Sequence, residues 1–363
     1  VLLSKDSSIG EVSVVGGKNY EKHCFSSGIV KLNITKDKYY LIGLLKHPFF
    51  KQQLYSKVPK GSVISHAKDI WLDCEIPIVN KKIKDEISNL VKDILSIEEK
   101  IINKNEQINF LFDNELNKNK KKKNNNITLS YLSTKSWYTR LDAGFLEKKV
   151  QNFLDQVLRY NDGFYFINDE EGFNVKRGQN LQESNIGYSI YSNVPINKGY
   201  KLIFPKNLSE HRTVKDNHYL ANKNDLQVLK AGDVIFGAEG FEKGRATIFL
   251  DKIEKAITNI HGIVFKHKKQ KINESIFFTC YLTFLRSKGL IDSLAVGGSG
   301  GSFAKQYIEK LPIPKFKKNI KDKIIDLFTN SILKNSEENG IFELDKKLKI
   351  KKIMLNETID KII

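Results

Sequence analysis

The sequence predicts an α+β protein of two globular units joined by long helices that pair as an antiparallel coiled coil. Three observations predict it. A block near the start of the chain recurs 234 residues later, short apolar runs alternate with glycine turns, and a long seam of apolar residues follows each copy.

The duplication is legible residue by residue. Gly10-Glu11-Val12 aligns with Gly244-Arg245-Ala246, and Gly28-Ile29-Val30 with Gly262-Ile263-Val264, both 234 positions apart without a gap. An aromatic helical run and a Gly/Ser turn follow in each copy. Ser65-His66-Ala67-Lys68 then answers Ser302-Phe303-Ala304-Lys305, and a short Pro-containing strand is expected at Glu75-Ile76-Pro77-Ile78 and at Lys310-Leu311-Pro312-Ile313. Two related modules suit a protein that grips two similar targets, or one target with two halves. At this offset the first copy begins at the equivalent of Ile235, so the first module is expected to lack roughly a hundred residues that the second contains.

Composition bounds the rest. The chain has 363 residues, 40% of them hydrophobic, with 22 Phe and 14 Tyr, enough to bury more than one core. Sixty Lys and Arg against 42 Asp and Glu give a formal charge of +18, which points to a polyanionic partner. The three cysteines, Cys24, Cys74 and Cys280, form no C-x-x-C pair, which suits a reducing cytoplasm and neither a disulfide framework nor a zinc site. No apolar run reaches the length of a membrane span, so a soluble cytoplasmic protein is expected.

Residues 1–81 form the first module. Residues 82–117 carry Ile83, Ile87, Leu90, Val91, Ile94, Leu95, Ile97, Ile101 and Ile108 at three and four spacing, a narrow seam that calls for a second helix. The polar run 118–129, rich in Lys and Asn, reads as a solvated linker that also suits DNA phosphate. The second module, 130–316, opens on Trp137-Tyr138-Thr139-Arg140-Leu141-Asp142-Ala143, continues in an amphipathic helix from about Phe145 to Leu158, and then breaks into short strands between glycines. Leu229–Gly237 is a turn feeding a buried strand, and Arg245–Leu250 returns beside it. The region 317–363 repeats the helical character, with Ile320, Ile324, Ile325, Leu327 and Phe328 before a break at Asn339-Gly340, then Leu344, Leu348, Ile353, Ile359 and Ile362. Paired antiparallel, the helices at 82–117 and 317–363 form a rod that spaces the globular units.

At this point the residues carry a resemblance. Gly232-Asp233-Val234-Ile235 with its Gly-rich hairpin, Gly262-Ile263-Val264, the aromatic helix around Phe277–Phe284, and Ser299-Gly300-Gly301-Ser302 leading to Leu311-Pro312-Ile313-Pro314 resemble the target recognition domain of specificity subunits of type I restriction–modification systems. Arg140-Leu141-Asp142-Ala143 resembles the start of such domains, including those of single-chain restriction–methylation enzymes. The resemblance covers nearly the whole chain, through short motifs whose order and duplication carry it; the departure is the missing front of the first domain. It implies a non-catalytic reader of double-stranded DNA. Each recognition domain would hold one half of a bipartite site, while the helices would act as a ruler and dock DNA adenine methyltransferase subunits, with a restriction/translocase subunit a further partner. Two other readings stay open: the DNA-recognition segment of a larger single-chain restriction–methylation enzyme, and a non-catalytic helical adaptor.

The DNA-contacting candidates are Lys60, Lys68, Arg140, Lys176, Arg177, Tyr188, Arg212, Lys243, Arg245 and Lys305. Lysine and arginine can pair with phosphate or bridge guanine edges, and an exposed tyrosine can stack or wedge between bases. Arg177, in Asn174-Val175-Lys176-Arg177-Gly178, leads this group. Tyr191 lies three residues beyond Tyr188, and at least one of the two is expected in the core. Gly297–Ser302 lacks the Gly-Lys-Ser/Thr ending of a nucleotide loop, though a backbone nest there suits one phosphate. Enzymatic chemistry is not indicated. His66, His261 and His267 have no acidic or Cys partners at ligand spacing, no adenine-methylation motif is present, and Asp142 with Glu147-x-Lys149 is a poor nuclease set on a packing helix. No cofactor and no metal are expected.

Overall fold

The computed structural model describes the chain outside residues 7, 16–23, 59–66, 122–142, 210–213, 215–217, 241–242, 251–254, 298–300 and 331–338. It divides into two compact units, Val1–Lys100 with Lys346–Ile363, and Ile101–Asp345. No helix of the described residues is long and apolar enough to cross a membrane.

In the first unit β1 (Leu2–Ser4) is the centre of a three-stranded antiparallel sheet, flanked by β2 (Val12–Ser13) and β3 (Ile29–Lys31). Leu2 faces Ser13 on one side and Lys31 on the other. Leu3, Ile9 and Val12 pack there against Leu45, Phe50, Leu54 and Val58. The last four come from α1 (Lys38–Lys46), α2 (Pro48–Lys57) and the residue after it. The expected aromatic helical run is thus two helices. Pro48 lacks an amide hydrogen and forces His47 into the extended conformation, so one helix ends and another starts. The His47 Nδ1 accepts from the Phe49 amide at 3.3 Å and caps the second.

Helix α3 (Lys81–Lys118) realises the seam read over 82–117 to within one residue at each end. Within the first unit it buries Ile87, Leu90, Val91 and Ile94. A Cβ on Gly43 would stand 3.0 Å from Ile87 and 3.7 Å from Leu355, so the missing side chain lets α1 meet α3 and the C-terminal helix at close range. Lys351 pairs with Asp93 and Lys352 with Glu98, both at 2.7 Å, and His47 Nε2 lies 3.3 Å from Asp360.

The segment Glu75–Ile78 corrects the sequence reading: it is not a strand and has no strand partner among the described residues, with Ile78 99% exposed. Its counterpart β13 (Pro312–Pro314) is a strand because it pairs antiparallel with β4 (Phe164–Phe166), Ile313 facing Tyr165.

The second unit holds two further four-stranded sheets. One has the order β10-β9-β12-β5, from β5 (Phe173–Arg177), β9 (Val234–Gly237), β10 (Ala246–Ile248) and β12 (Gly262–His267), all neighbours antiparallel. The strand expected from Leu229–Gly237 and its returning neighbour are therefore β9 and β10. The other has the order β11-β7-β8-β6, from β6 (Ser189–Ser192), β7 (Tyr200–Ile203), β8 (His218–Asn222) and β11 (Ala256–Thr258). The helix read from Phe145 to Leu158 is a single turn at Ala143–Leu146 and then α4 (Lys148–Leu158), with Val150, Phe153, Leu154 and Val157 buried on one face.

Helix α5 (Ile272–Ser287) is apolar nearly all round and sits inside, stacking Phe278 on Phe173 at 4.4 Å between ring centres. Phe112, from the second half of α3, is surrounded by Phe277, Tyr281, Phe284 and Phe316. Beyond β13 the 317–363 region is two helices, α6 (Lys318–Thr329) and α7 (Ile341–Asp360). Gly340 stands at the start of the second, where a Cβ would lie 2.5 Å from the Phe328 carbonyl oxygen.

Candidate nucleic-acid interface

The chemistry of the second unit gathers at one end of the sheet β10-β9-β12-β5. Four backbone segments are drawn together there. The Gly178 amide donates to the Gly262 carbonyl at 3.0 Å, Ala238 to His261 at 3.0 Å, and Phe303 to Ala238 at 2.9 Å. The approach requires glycine at one position above all: a Cβ on Gly178 would lie 2.2 Å from the Asn259 carbonyl oxygen.

This framework aims three polar side chains at one another. Arg177 closes β5, Glu239 follows β9, and His261 precedes β12. Glu239 Oε1 accepts from Arg177 Nη1 at 3.1 Å, and Oε2 accepts from His261 Nδ1 at 2.5 Å. The same guanidinium donates to the carbonyls of Ile260 at 3.2 Å and Phe303 at 2.8 Å. The arginine and glutamate side chains are one-third exposed and the histidine 56%. The acidic partner that sequence spacing denied His261 is therefore supplied by the fold, 22 residues away.

The remaining candidates are spread more widely. Lys176, next to Arg177 on β5, points the other way and is exposed, as are Lys68 and Lys305, the latter 3.4 Å from Glu309. Lys243 is spent on Asp292 at 2.9 Å with its side chain 12% exposed. Arg245 is turned inward at 6% exposure and donates from Nη1 to the Leu208 carbonyl at 2.9 Å, which makes it an internal brace. Lys60, Arg140, Arg212 and most of the 118–129 linker lie outside the described residues, as does the middle of the glycine loop. Glu147 and Lys149 pair with each other at 3.0 Å, and Ser293 Oγ donates to Glu147 at 2.9 Å; these bonds hold that carboxyl below its ordinary range.

An aromatic surface stands on the other large sheet. Tyr188 is 75% exposed and Tyr191 54%, so neither is in the core. Ile190, on the edge strand β6 with Tyr191, and Val194 just beyond it are exposed as well. The register sets Ile190 opposite Ala221, and Tyr219 opposite both Ser192 and Lys201, so Ile190, Tyr219 and Lys201 share a face. Among the described residues no group of three or more His, Cys, Asp or Glu could hold a metal ion.

No protein-family model matches the chain, and no curated protein matches it. Three solved structures align with most of it. One, reported for complex assembly and conformational transition of the type I R-M system, is 10% identical, with 93% of this chain and 71% of that chain covered and a TM-score of 0.34. The type I restriction-modification system S subunit from M. genitalium is 14% identical, with 99% and 79% covered and a TM-score of 0.36. The HsdS subunit from Thermoanaerobacter tengcongensis is 12% identical, with 89% and 69% covered and a TM-score of 0.32.

Proposed function

We propose that this chain is a non-catalytic specificity subunit of a type I restriction–modification system. It reads double-stranded DNA at a bipartite site and directs DNA adenine methyltransferase subunits, and a restriction/translocase subunit, to it. The observation that carries this reading is the repetition of one strand arrangement. In both copies the first strand is central, the second and third flank it antiparallel, helix follows, and a Pro-containing segment leads into an amphipathic helix. The strand order is what repeats: Val12 faces Leu3 and Ala246 faces Phe236, a pairing shifted by one residue relative to the 234-residue offset. A twice-built module suits a target with two half-sites, and the charge of +18 suits a duplex backbone.

In this reading residues 1–81 and 130–316 are the recognition domains, and 82–117 and 317–363 are spacer helices paired as an antiparallel coiled coil. Supporting that direction, Lys351 meets Asp93 while the later Leu355 lies near the same glycine as the earlier Ile87. Lys68, Lys176, Lys305 and Tyr188 are the exposed candidates for backbone and base contact, and Arg177 is the candidate for base reading. Titrating a labelled duplex over a salt series tests the reading. Binding whose logarithm falls steeply and linearly with the logarithm of salt is expected; an affinity that is absent, or indifferent to salt, contradicts it.

A further inference from the structure

We propose that Arg177, Glu239 and His261 form one reading head for a G·C base pair, with Glu239 as the positioning residue that fixes the other two. The inference rests on the DNA-reading function proposed above and adds what is read and by which atoms.

The hydrogen-bond inventory carries it. A guanidinium has five N–H donors. Arg177 spends both on Nη1, to Glu239 and Ile260, and one on Nη2, to Phe303. Among the described residues one N–H on Nη2 and the one on Nε have no acceptor, on a side chain one-third exposed. His261 gives its Nδ1 hydrogen to Glu239, so in the neutral ring Nε2 is an acceptor on a side chain 56% exposed. The head therefore offers two donors and one acceptor. In the major groove guanine offers the acceptors N7 and O6, and cytosine offers the N4 donor, the complementary set.

The carboxylate separates base reading from phosphate binding. Beside an arginine that only neutralised phosphate, Glu239 would repel the same phosphate and weaken the contact. Beside an arginine aimed at a base edge it restrains a side chain with large rotamer entropy and lowers attraction to random DNA. Its own position is fixed by the neighbouring Ala238, whose amide and carbonyl are held by His261 and Phe303.

The test is selection of binding sequences from a randomised duplex library by the full chain and by Glu239→Gln and Glu239→Ala, each first shown to melt at the wild-type temperature. Wild type is expected to enrich a motif containing a G·C pair. Each variant should lose preference at that one position by about tenfold or more, the scale of a bidentate base contact, and bind random duplex at least as tightly as wild type. Glu239→Asp should recover part of the preference, which a merely structural role would not predict. A wild-type motif without G·C, or the same motif at the same strength in Glu239→Ala, overturns the reading head while leaving the function standing. Wild type that enriches no motif overturns the proposed function and the reading head together.

Discussion

Tyr281 donates its hydroxyl to the carbonyl of Pro312 across 2.7 Å, and Tyr40 does the same to Pro77 across 2.5 Å. In each copy, then, a tyrosine from the helix after the three-stranded arrangement ties down the proline segment that leads toward the spacer helix. Tyr281 is wholly enclosed, and its pKa is driven well above the ordinary phenol range by burial. Tyr281→Phe should therefore leave the Pro312 carbonyl short of a partner and cost about 1–3 kcal/mol. Chemical denaturation is the check, with a loss of midpoint and an unchanged slope expected.

Close backbone approach yields the second prediction. At Gly178 a methyl group would overlap the Asn259 carbonyl oxygen at 2.2 Å. Gly178→Ala must push β5 away from the turn before β12 and pull Arg177 off Glu239. Weakened sequence preference together with a lower melting temperature is expected, whereas Gly163→Ala, where no atom lies within 4 Å of the added carbon, should shift only stability, through its φ of 84°.

Much of this framework was legible from the sequence, for reasons that differ by element. The seam from Ile87 to Ile108 repeats at helical spacing, and α3 buries Ile87, Leu90, Val91, Ile94, Ile101 and Ile108 along it. The β9–β10 hairpin was legible from two apolar runs separated by glycines. Glu75–Ile78 was misread because strand formation needs a partner, which composition does not reveal. The cluster at Arg177 was invisible as a set. Glu239 lies 62 residues from Arg177 and 22 from His261, and only the sheet order brings them together. Arg245, read as DNA-facing from its place on a hairpin, points inward because the burial of a side chain depends on which face its strand covers.

Acid should destabilise the fold through two buried histidines. His47 accepts from the Phe49 amide and His267 from the Lys269 amide, each through Nδ1, and burial lowers both pKa values. A lowered folded-state pKa means that the unfolded chain binds protons first as pH falls below about 6.5. Stability is then full above that value and declines as pH drops toward the folded-state pKa. Melting curves from pH 7.5 to 5.5 should show a falling midpoint, with His267→Gln less pH-sensitive than wild type; a flat profile would contradict the assignment.

Exposed lysine and internal arginine should behave differently toward DNA. Lys176 is exposed, and replacing it by alanine should weaken duplex binding uniformly across sequences and reduce the salt slope by about one. Arg245→Ala should act on stability first, since its guanidinium holds the Leu208 carbonyl inside the unit. Affinity at several salt concentrations beside melting data separates the two.

The central claim is that two related modules on one chain read two blocks of a duplex. Sequencing the DNA that the chain retains from a randomised duplex library, alone and with its modification subunits, tests it most directly. Two short blocks at a fixed spacing are the predicted result. Salt-sensitive retention without any enriched sequence would contradict the claim.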